Sequence, residues 1–563
     1  MKPNNQHHPK RDSKVDEKLH WEPMSATTPT TNHHHLLPRS PRSSVPAAFY
    51  KLVFWLLCLS SLFYALLFLS SSSTSTHTSC PDIVTSTTHI HLSNTTIPSP
   101  PPPPPPTGLK HIVFGIAASS RLWEKRKEYI KIWWRPGQMR GLVWLDSKPK
   151  KTRPSDLRSL PLIRISSDTS RFPYTNRDGH RSAIRISRIV SETLRSEKDG
   201  EIRWFVMGDD DTAFVADNLV RVLSKYDHTQ FYYIGSLSES HLQNIYFSYN
   251  MAYGGGGFAV SYPLAVALEK MQDRCIMRYP GLYGSDDRMQ ACMAELGVPL
   301  TRHPGFHQYD VYGDLFGLLA AHPVAPMVSL HHLDVVEPVL PNLTRAEGLK
   351  RVFEGPVRLD SAAVMQQSIC YDNRRKWTVS VSWGFAVQVV RGTLSAREME
   401  MPPRTFLNWY RRADYKAYAF NTRPFFRNVC QKPFLFYLST AGMDGGSSNR
   451  TVTEYGRHVE QKQSHCRWKM ADPSEVDRVV VYKRPDPYMW DKVSRYFHLI
   501  CLFFSTFNAH ILMSKVKSDD NVFMSLLLEQ SPRRNCCRVL PWNETTMSVD
   551  VGDCRDGEIS EVL

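Results

Sequence analysis

A chain of 563 residues is longer than one ordinary domain, and 42% hydrophobic with 22% charged residues is a globular composition that can build a core. The net charge of +15 is spread along the chain. No recognition helix, zinc-finger spacing or aromatic-basic RNA motif accompanies it, so nucleic acid is excluded as the expected partner; scattered Lys and Arg suit anionic small substrates or a basic tail.

Residues 1–46 form a polar, His/Pro/Ser-rich tail carrying Lys10, Arg11, Lys14, Lys18, Arg39 and Arg42. The stretch 47–69, AAFYKLVFWLLCLSSLFYALLFL, has one charge, Lys51, near its start, and is long enough to span a bilayer as a helix. It lies too far from Met1 for a cleaved signal peptide, and positive charge before it keeps the tail cytosolic. The expectation is a single-pass chain whose bulk is luminal. Residues 70–107, rich in Ser and Thr and ending in the run Pro100 to Pro106, read as a stiff stem. Sequons at Asn94, Asn342, Asn449 and Asn543 agree with that topology, and eleven cysteines are compatible with disulfides in an oxidising compartment. Cys275 and Cys292 are the expected pair.

From Lys110 strands and helices alternate, which predicts a largely parallel α/β sheet. His111 to Ile116 is a strand opening into Ala117-Ala118-Ser119-Ser120-Arg121. Gly141 to Leu145 is a second, ending in Asp146, and Leu162-Ile163 with Ile165 a third. Arg181 to Leu194 has helical periodicity, Trp204 to Met207 is a buried strand, Asn218 to Leu223 a helix and Phe231 to Ile234 a strand.

Three features carry chemistry. The strand Trp204 to Met207 runs through Gly208 into Asp209-Asp210-Asp211. Three like charges at a strand end need a counter-charge, and a divalent cation carrying a phosphate ligand supplies one; a solvated acidic loop is the plainer alternative. Tyr253-Gly254-Gly255-Gly256-Gly257-Phe258 has four residues without side chains, so its backbone can approach a ligand, although such runs are more often flexible turns. Asp286-Asp287 opens a helix over Arg288 to Leu296. Acids there are stabilised by the helix dipole, and the functional alternative is a carboxylate base for an incoming hydroxyl.

This order of motifs, completed by Leu296-Gly297-Val298-Pro299-Leu300 and Phe306-His307, resembles the Fringe-like β-1,3-glycosyltransferases, and most of all the plant branch of that family. The resemblance covers roughly Lys110 to Asp334. It implies a glycosyltransferase-A fold over 108–341, a Golgi membrane location, and manganese-assisted transfer of a hexose or N-acetylhexosamine from a UDP-sugar, with inversion, to a glycan, glycoprotein or small-molecule acceptor. By the same resemblance, Asp211 and Asp210 are metal ligands and Asp209 contacts the nucleoside. Ser119, Ser120, Arg121 and Asp146 hold the nucleotide, and Gly255, Gly256 and Gly257 line the cleft. Asp287 is the base, with Asp286 beside it. The family's second His in Phe-His-x-His is replaced by Tyr309, so His307 is the expected third ligand, with the pair His331-His332 as the alternative.

Residues 342–563 read as a β-containing accessory region, with strands over Ser380 to Arg391 and Phe434 to Leu438 and with Cys370, Cys430 and Cys466 available as staples. Within it, 493–530 is apolar and foreign to the pattern around it. It is read as translated retained intron, or alternatively as a membrane-associating hairpin. A catalytically silent Golgi lectin or scaffold on the same fold is the alternative function. A luminal nucleotidyl or phosphoryl transferase would use the same acids but lacks a phosphate-cradling Walker loop.

Overall fold

The computed structural model describes residues 106–490 and 534–558, apart from short stretches within them. The expected cytosolic tail, the expected span 47–69, most of the expected stem and the segment 493–530 lie outside the described residues. Among the described residues no helix is long and apolar enough to cross a membrane.

In chain order the first half supplies β1 (Ile112–Ala117), β2 (Arg140–Leu145), β3 (Leu162–Ile165), β4 (Trp204–Asp209), β5 (Ala213–Phe214), β6 (Tyr233–Gly235), β7 (Phe258–Ser261), β8 (Leu300–Arg302), β9 (Val311–Gly313) and β10 (Ser329–Leu330). Seven of these form one sheet in the order β3-β2-β1-β4-β7-β6-β8. β1 to β4 are mutually parallel neighbours, whereas β7 runs antiparallel between β4 and β6. The sheet is therefore mixed, and β7 escaped the sequence reading because Phe258 to Ser261 follows a glycine run and precedes a proline.

Near-continuous apolar strands mean that both faces are covered. Along β1, Ile112, Phe114 and Ile116 enter one core with the helix Trp123–Trp133, while Val113 and Ala117 enter another with the helices Ile189–Ser196, Tyr262–Arg278 and Ser285–Glu295. The expected helix over Arg181 to Leu194 is two, Ser182–Ser187 and Ile189–Ser196, broken at Arg188. The expected bridge Cys275–Cys292 ties the helix Tyr262–Arg278 to Ser285–Glu295.

The second half supplies β11 (Gln367–Asp372), β12 (Trp377–Ser382), β13 (Ala386–Arg391), β14 (Phe406–Asn408), β15 (Phe434–Met443), β16 (Thr451–His458), β17 (Arg478–Lys483), β18 (Cys536–Val539) and β19 (Thr546–Gly552). Eight of them form a second sheet, β11-β12-β13-β15-β16-β17-β19-β18. Ser380 to Arg391, expected as one strand, is the end of β12, a turn at Gly384 with φ +75°, and β13. The disulfide Cys370–Cys537 joins the two edge strands, so the sheet curls until its edges lie side by side. Cys430–Cys466 and Cys536–Cys554 complete the bridges among the described residues.

The sheets share one hydrophobic core, which runs from Phe114 and Phe214 through Phe316 to Phe385 and Phe436. β14 pairs with β9 across the sequence, and Asn218 Nδ2 donates to the carbonyls of Met327 at 2.9 Å and Ser361 at 2.8 Å.

Candidate active site

The carboxyl ends of β1 and β4 lie side by side, Ala117 opposite Asp209, and the acidic triplet turns there. The turn is fixed by Thr212, whose Oγ1 accepts from Asp209 N at 2.8 Å and donates to the Gly255 carbonyl at 2.6 Å. The triplet and the glycine run are thus bound to each other.

The three acids take different surroundings. Asp210 is buried, accepts from Arg126 Nη1 at 3.0 Å and from Ser119 N at 3.3 Å, and burial pushes it up to about 6. Asp209 lies at the mouth. Burial, followed by the charges of Asp211, Asp286 and Asp210, pushes it up to about 8. Asp211 is fully buried; burial opposes its charge, but His331 and Arg126 hold it well below the usual carboxylate range. Arg126 spans the group, with Nη2 3.2 Å from Asp211 and 2.8 Å from Asp334.

His331 Nε2 stands 3.3 Å from Asp211 Oδ1 and 3.7 Å from Asp209 Oδ2, and these three residues bring their ligand atoms together. Gln308 fixes the imidazole. Its Nε2 donates to Asp310 Oδ1 at 3.0 Å, so its Oε1, 2.9 Å from His331 Nδ1, accepts the ring proton. The Nε2 lone pair then faces two carboxylates, and neither oxygen of Asp211 receives a well-formed hydrogen bond. Converging carboxylate and imidazole acceptors with the ring oriented from behind are what a divalent cation requires. The residues present suit a metal.

The expected third ligand, His307, does not join this cluster. From His307 to Asp310 the side chains alternate. Gln308 and Asp310 face the acids, with Asp310 Oδ1 3.2 Å from His332 Nδ1. His307 and Tyr309 stack on the other side at 5.3 Å. There His307 meets Glu239 at 2.9 Å and His322 at 2.9 Å, and burial holds it down to about 4. The alternative, His331, occupies the ligand position, and His332 beside it has a left-handed backbone with φ +62°.

The glycine run permits this packing. A Cβ on Gly255 would lie 2.1 Å from the His331 ring, and one on Gly254 would lie 2.6 Å from Asp286 Oδ1. Gly256 accepts through its carbonyl from Ser329 Oγ, and Gly257 turns the chain into β7. At the ends of β1 and β2, where the nucleotide is expected, Ser120 donates from N at 2.7 Å and Oγ at 3.0 Å to Asp146, and Arg121 is exposed. Arg185 donates to the carbonyls of Trp144 and Ala118, both at 3.0 Å, so the ends of β1 and β2 are clamped from below.

The two acids before the helix Ser285–Glu295 divide in role. Asp287 caps it: Oδ1 accepts from Gly284 N at 2.9 Å and Oδ2 from Tyr283 N at 2.7 Å. Asp286 lines one small cavity with Asp209 and Gly254, and burial pushes it up to about 6. Arg126, Asp334 and Gln308 are the site residues that sequence reasoning missed; nothing in the charged stretch around Arg126 marks its target.

Residues 165–315 match the family described as Fringe-like, and residues 243–498 match a protein family of unknown function, DUF604. A β-1,3-glucosyltransferase of Mus musculus is 31% identical over 119 residues, 21% of this chain and 23% of that protein, so the chain spans about a quarter of that relative's length. Among solved structures, a mannosyltransferase of Pyrobaculum calidifontis in complex with GDP-Man and Mn2+ is 17% identical, with 38% of this chain and 62% of that one covered at a TM-score of 0.22. A glycosyltransferase involved in glycosylating the PBCV-1 major capsid is 16% identical over 43% of this chain and 98% of that one, at a TM-score of 0.22. The Fringe-like match, the region that follows it and the β-1,3-glucosyltransferase relative together support a Fringe-like β-1,3-glycosyltransferase family for this chain.

Proposed function

We propose that this chain is a glycosyltransferase of the glycosyltransferase-A type that transfers a hexose or N-acetylhexosamine from a UDP-sugar to an acceptor hydroxyl, in β-1,3 linkage and with inversion. The observation that carries the reading is the meeting of Asp209, Asp211 and His331 with the glycine run and Asp286 at the carboxyl ends of β1 and β4. Manganese held by Asp211, His331 and Asp209 would supply positive charge to the departing diphosphate. Ser119, Ser120 and Asp146 at the first two strand ends position the nucleotide. Arg126 keeps Asp210 and Asp211 oriented and compensated.

The proton of the acceptor hydroxyl goes to the acid pair. Asp286 faces the cavity it shares with Asp209, and its raised pKa suits a group that takes up a proton near neutrality. Asp287 holds the turn that presents it. The test is UDP-sugar hydrolysis and transfer by the chain from Lys110 onward, across a donor panel, in manganese and in chelator. Asp286→Asn should keep UDP binding and lower transfer by roughly 10² or more. A parental rate in Asp286→Asn together with that loss in Asp287→Asn returns the base to Asp287. No donor hydrolysis under any condition would leave the lectin reading.

The same proposal places the chain in the Golgi membrane through residues 47–69, with the described part luminal. Asn342 and Asn449, both exposed, then become glycosylation sites. Glycosidase treatment should shift the protein on a gel, and protease protection of the amino terminus in sealed vesicles would refute the topology.

A further inference from the structure

Beside the acid pair the surface carries rings that no packing requirement explains. The short helix His241–Tyr246 and the turn after it present Ile245 at 60% exposure and Tyr246 at 73%, and Tyr283 is 41% exposed. Large apolar side chains exposed side by side mark a contact surface more often than isolated ones do. The rings are ordered relative to one another. Tyr246 meets Phe247 edge-on at 4.8 Å, and Phe247 meets Tyr283 at 5.6 Å and Tyr253 at 6.5 Å.

Phe247 therefore bridges the two loops of the candidate active site. Tyr253 immediately precedes Gly254, against which Asp286 packs, and the Tyr283 backbone N–H is bound by Asp287. A path of ring contacts runs from solvent at Tyr246 through Phe247 to Tyr253 and Tyr283, the residues next to Gly254 and Gly284. At its outer end Tyr249 Oη is held by His241 Nδ1 at 2.5 Å, which fixes the loop that carries the rings.

We propose that Tyr246, Phe247 and Tyr283 form the acceptor platform of this enzyme, and that the acceptor is a neutral oligosaccharide whose pyranose rings lie on these aromatic faces. This rests on the transferase reading above. The chemistry selects the class. Aromatic faces favour the apolar C–H faces of a sugar ring while the hydroxyls at its rim stay in water. The platform rings carry no charge, and Arg288, beside the acid pair, is committed to the carbonyls of Gly284 and Leu282. The path ends beside carboxylates, which repel an anionic acceptor. A ladder of successive rings suits a chain of sugars better than a single unit.

The experiment uses the full chain with a panel of neutral oligosaccharides, sialylated or uronate-bearing counterparts, and a flat aromatic alcohol without sugar. Tyr246→Ala and Tyr283→Ala should each raise the acceptor KM by roughly fivefold to twentyfold, the loss of one stacked ring, with little change in kcat. Tyr246→Phe, which keeps the ring, should restore parental KM. Calorimetric UDP binding in manganese reports on folding and on the donor side in the same variants. If UDP binds and donor is hydrolysed but oligosaccharide KM is indifferent to both alanine variants, the platform is refuted and the transferase reading stands. If only the aromatic alcohol is used, the platform stands with another occupant and the glycan assignment falls. If the parent hydrolyses no donor, the transferase reading itself fails, and oligosaccharide binding measured directly by calorimetry on the parent and on Tyr246→Ala decides the platform by the same fivefold criterion.

Discussion

Arg126→Met removes the positive charge that holds the acidic centre together. The guanidinium lies 3.0 Å from Asp210, 3.2 Å from Asp211 and 2.8 Å from Asp334, and all three carboxylates are largely buried. Breaking a buried pair by deleting one partner costs about 3–5 kcal/mol, because the remaining charge is left uncompensated. A second route sets a ceiling. A stranded carboxylate can take up a proton, which at pH 7 costs about 4 kcal/mol for a group with an ordinary pKa near 3.9, and at pH 5 only about 1.5 kcal/mol. The sign follows: the variant's folded-state carboxylate pKa values rise above the unfolded ones, so the deficit grows with pH from the unfolded value upward. Arg126→Met should therefore lose about 3–4 kcal/mol in chelator at pH 7 and about 1.5 kcal/mol at pH 5. Manganese should recover more stability in the variant than in the parent, since the cation replaces the lost charge. Urea unfolding at both pH values, with and without metal, measures all four quantities. A loss below about 1 kcal/mol that is the same at both pH values would show that these carboxylates do not depend on Arg126.

Three further outcomes are expected. Gly255→Ala places a methyl group where the His331 ring sits and should weaken manganese binding by roughly tenfold to a hundredfold, read by calorimetry, while UDP alone binds as before. Asp156, buried against Lys127 at 2.8 Å and Lys131 at 2.8 Å, is held down to about 2, so its stabilisation is present above pH 4 and is lost as pH falls toward 2; parent and Asp156→Asn unfolding curves should converge across that window. Replacing Cys370 and Cys537 together by Ser opens a bridge spanning 167 residues and should cost roughly 3–5 kcal/mol in denaturant unfolding measured without reductant.

The parallel half of the first sheet was legible because its strands are buried on both faces and its helices carry clear periodicity. β1, β2 and β3 fall within a residue or two of expectation. What sequence could not show was set by contacts distant along the chain. β7 is only four residues long, and its antiparallel place between β4 and β6 follows from the turn at Gly257. The break at Arg188 has a partner 85 residues away: its guanidinium binds Asp273 at 2.8 Å, while the side chain also meets Glu192 at 3.0 Å. In the site, the acid triplet, the glycine run and the acid pair announce themselves by composition. Arg126 and Gln308 do not, because their meaning lies in the partners they reach. His307 and His331 are equally plausible ligands until the alternation of His307 to Asp310 is known. One residue of register decides which face of that strip meets the acids.

That alternation also explains how the second half of the chain bears on the first. The face of the strip turned from the acids, with His307 and Tyr309, lines a cavity of about 420 Å³ whose other walls include Met401, Pro402 and Phe420 from the second half. The opposite face holds Gln308, which orients His331, and Asp310, which meets His332. A side chain inserted between Tyr309 and Phe420 cannot move one face of an alternating strip without moving the other. β14, paired with β9 directly after the strip, clamps it in place from the carboxyl-terminal half. The accessory half is therefore a structural wall of the candidate metal site, and removing it should expose the shared core at Phe316 and Phe385 and release His331 together. Cutting the chain after Pro341 should yield a fragment that neither folds cooperatively nor binds UDP in manganese. A soluble, nucleotide-binding 108–341 fragment would show instead that the strip holds its register unaided.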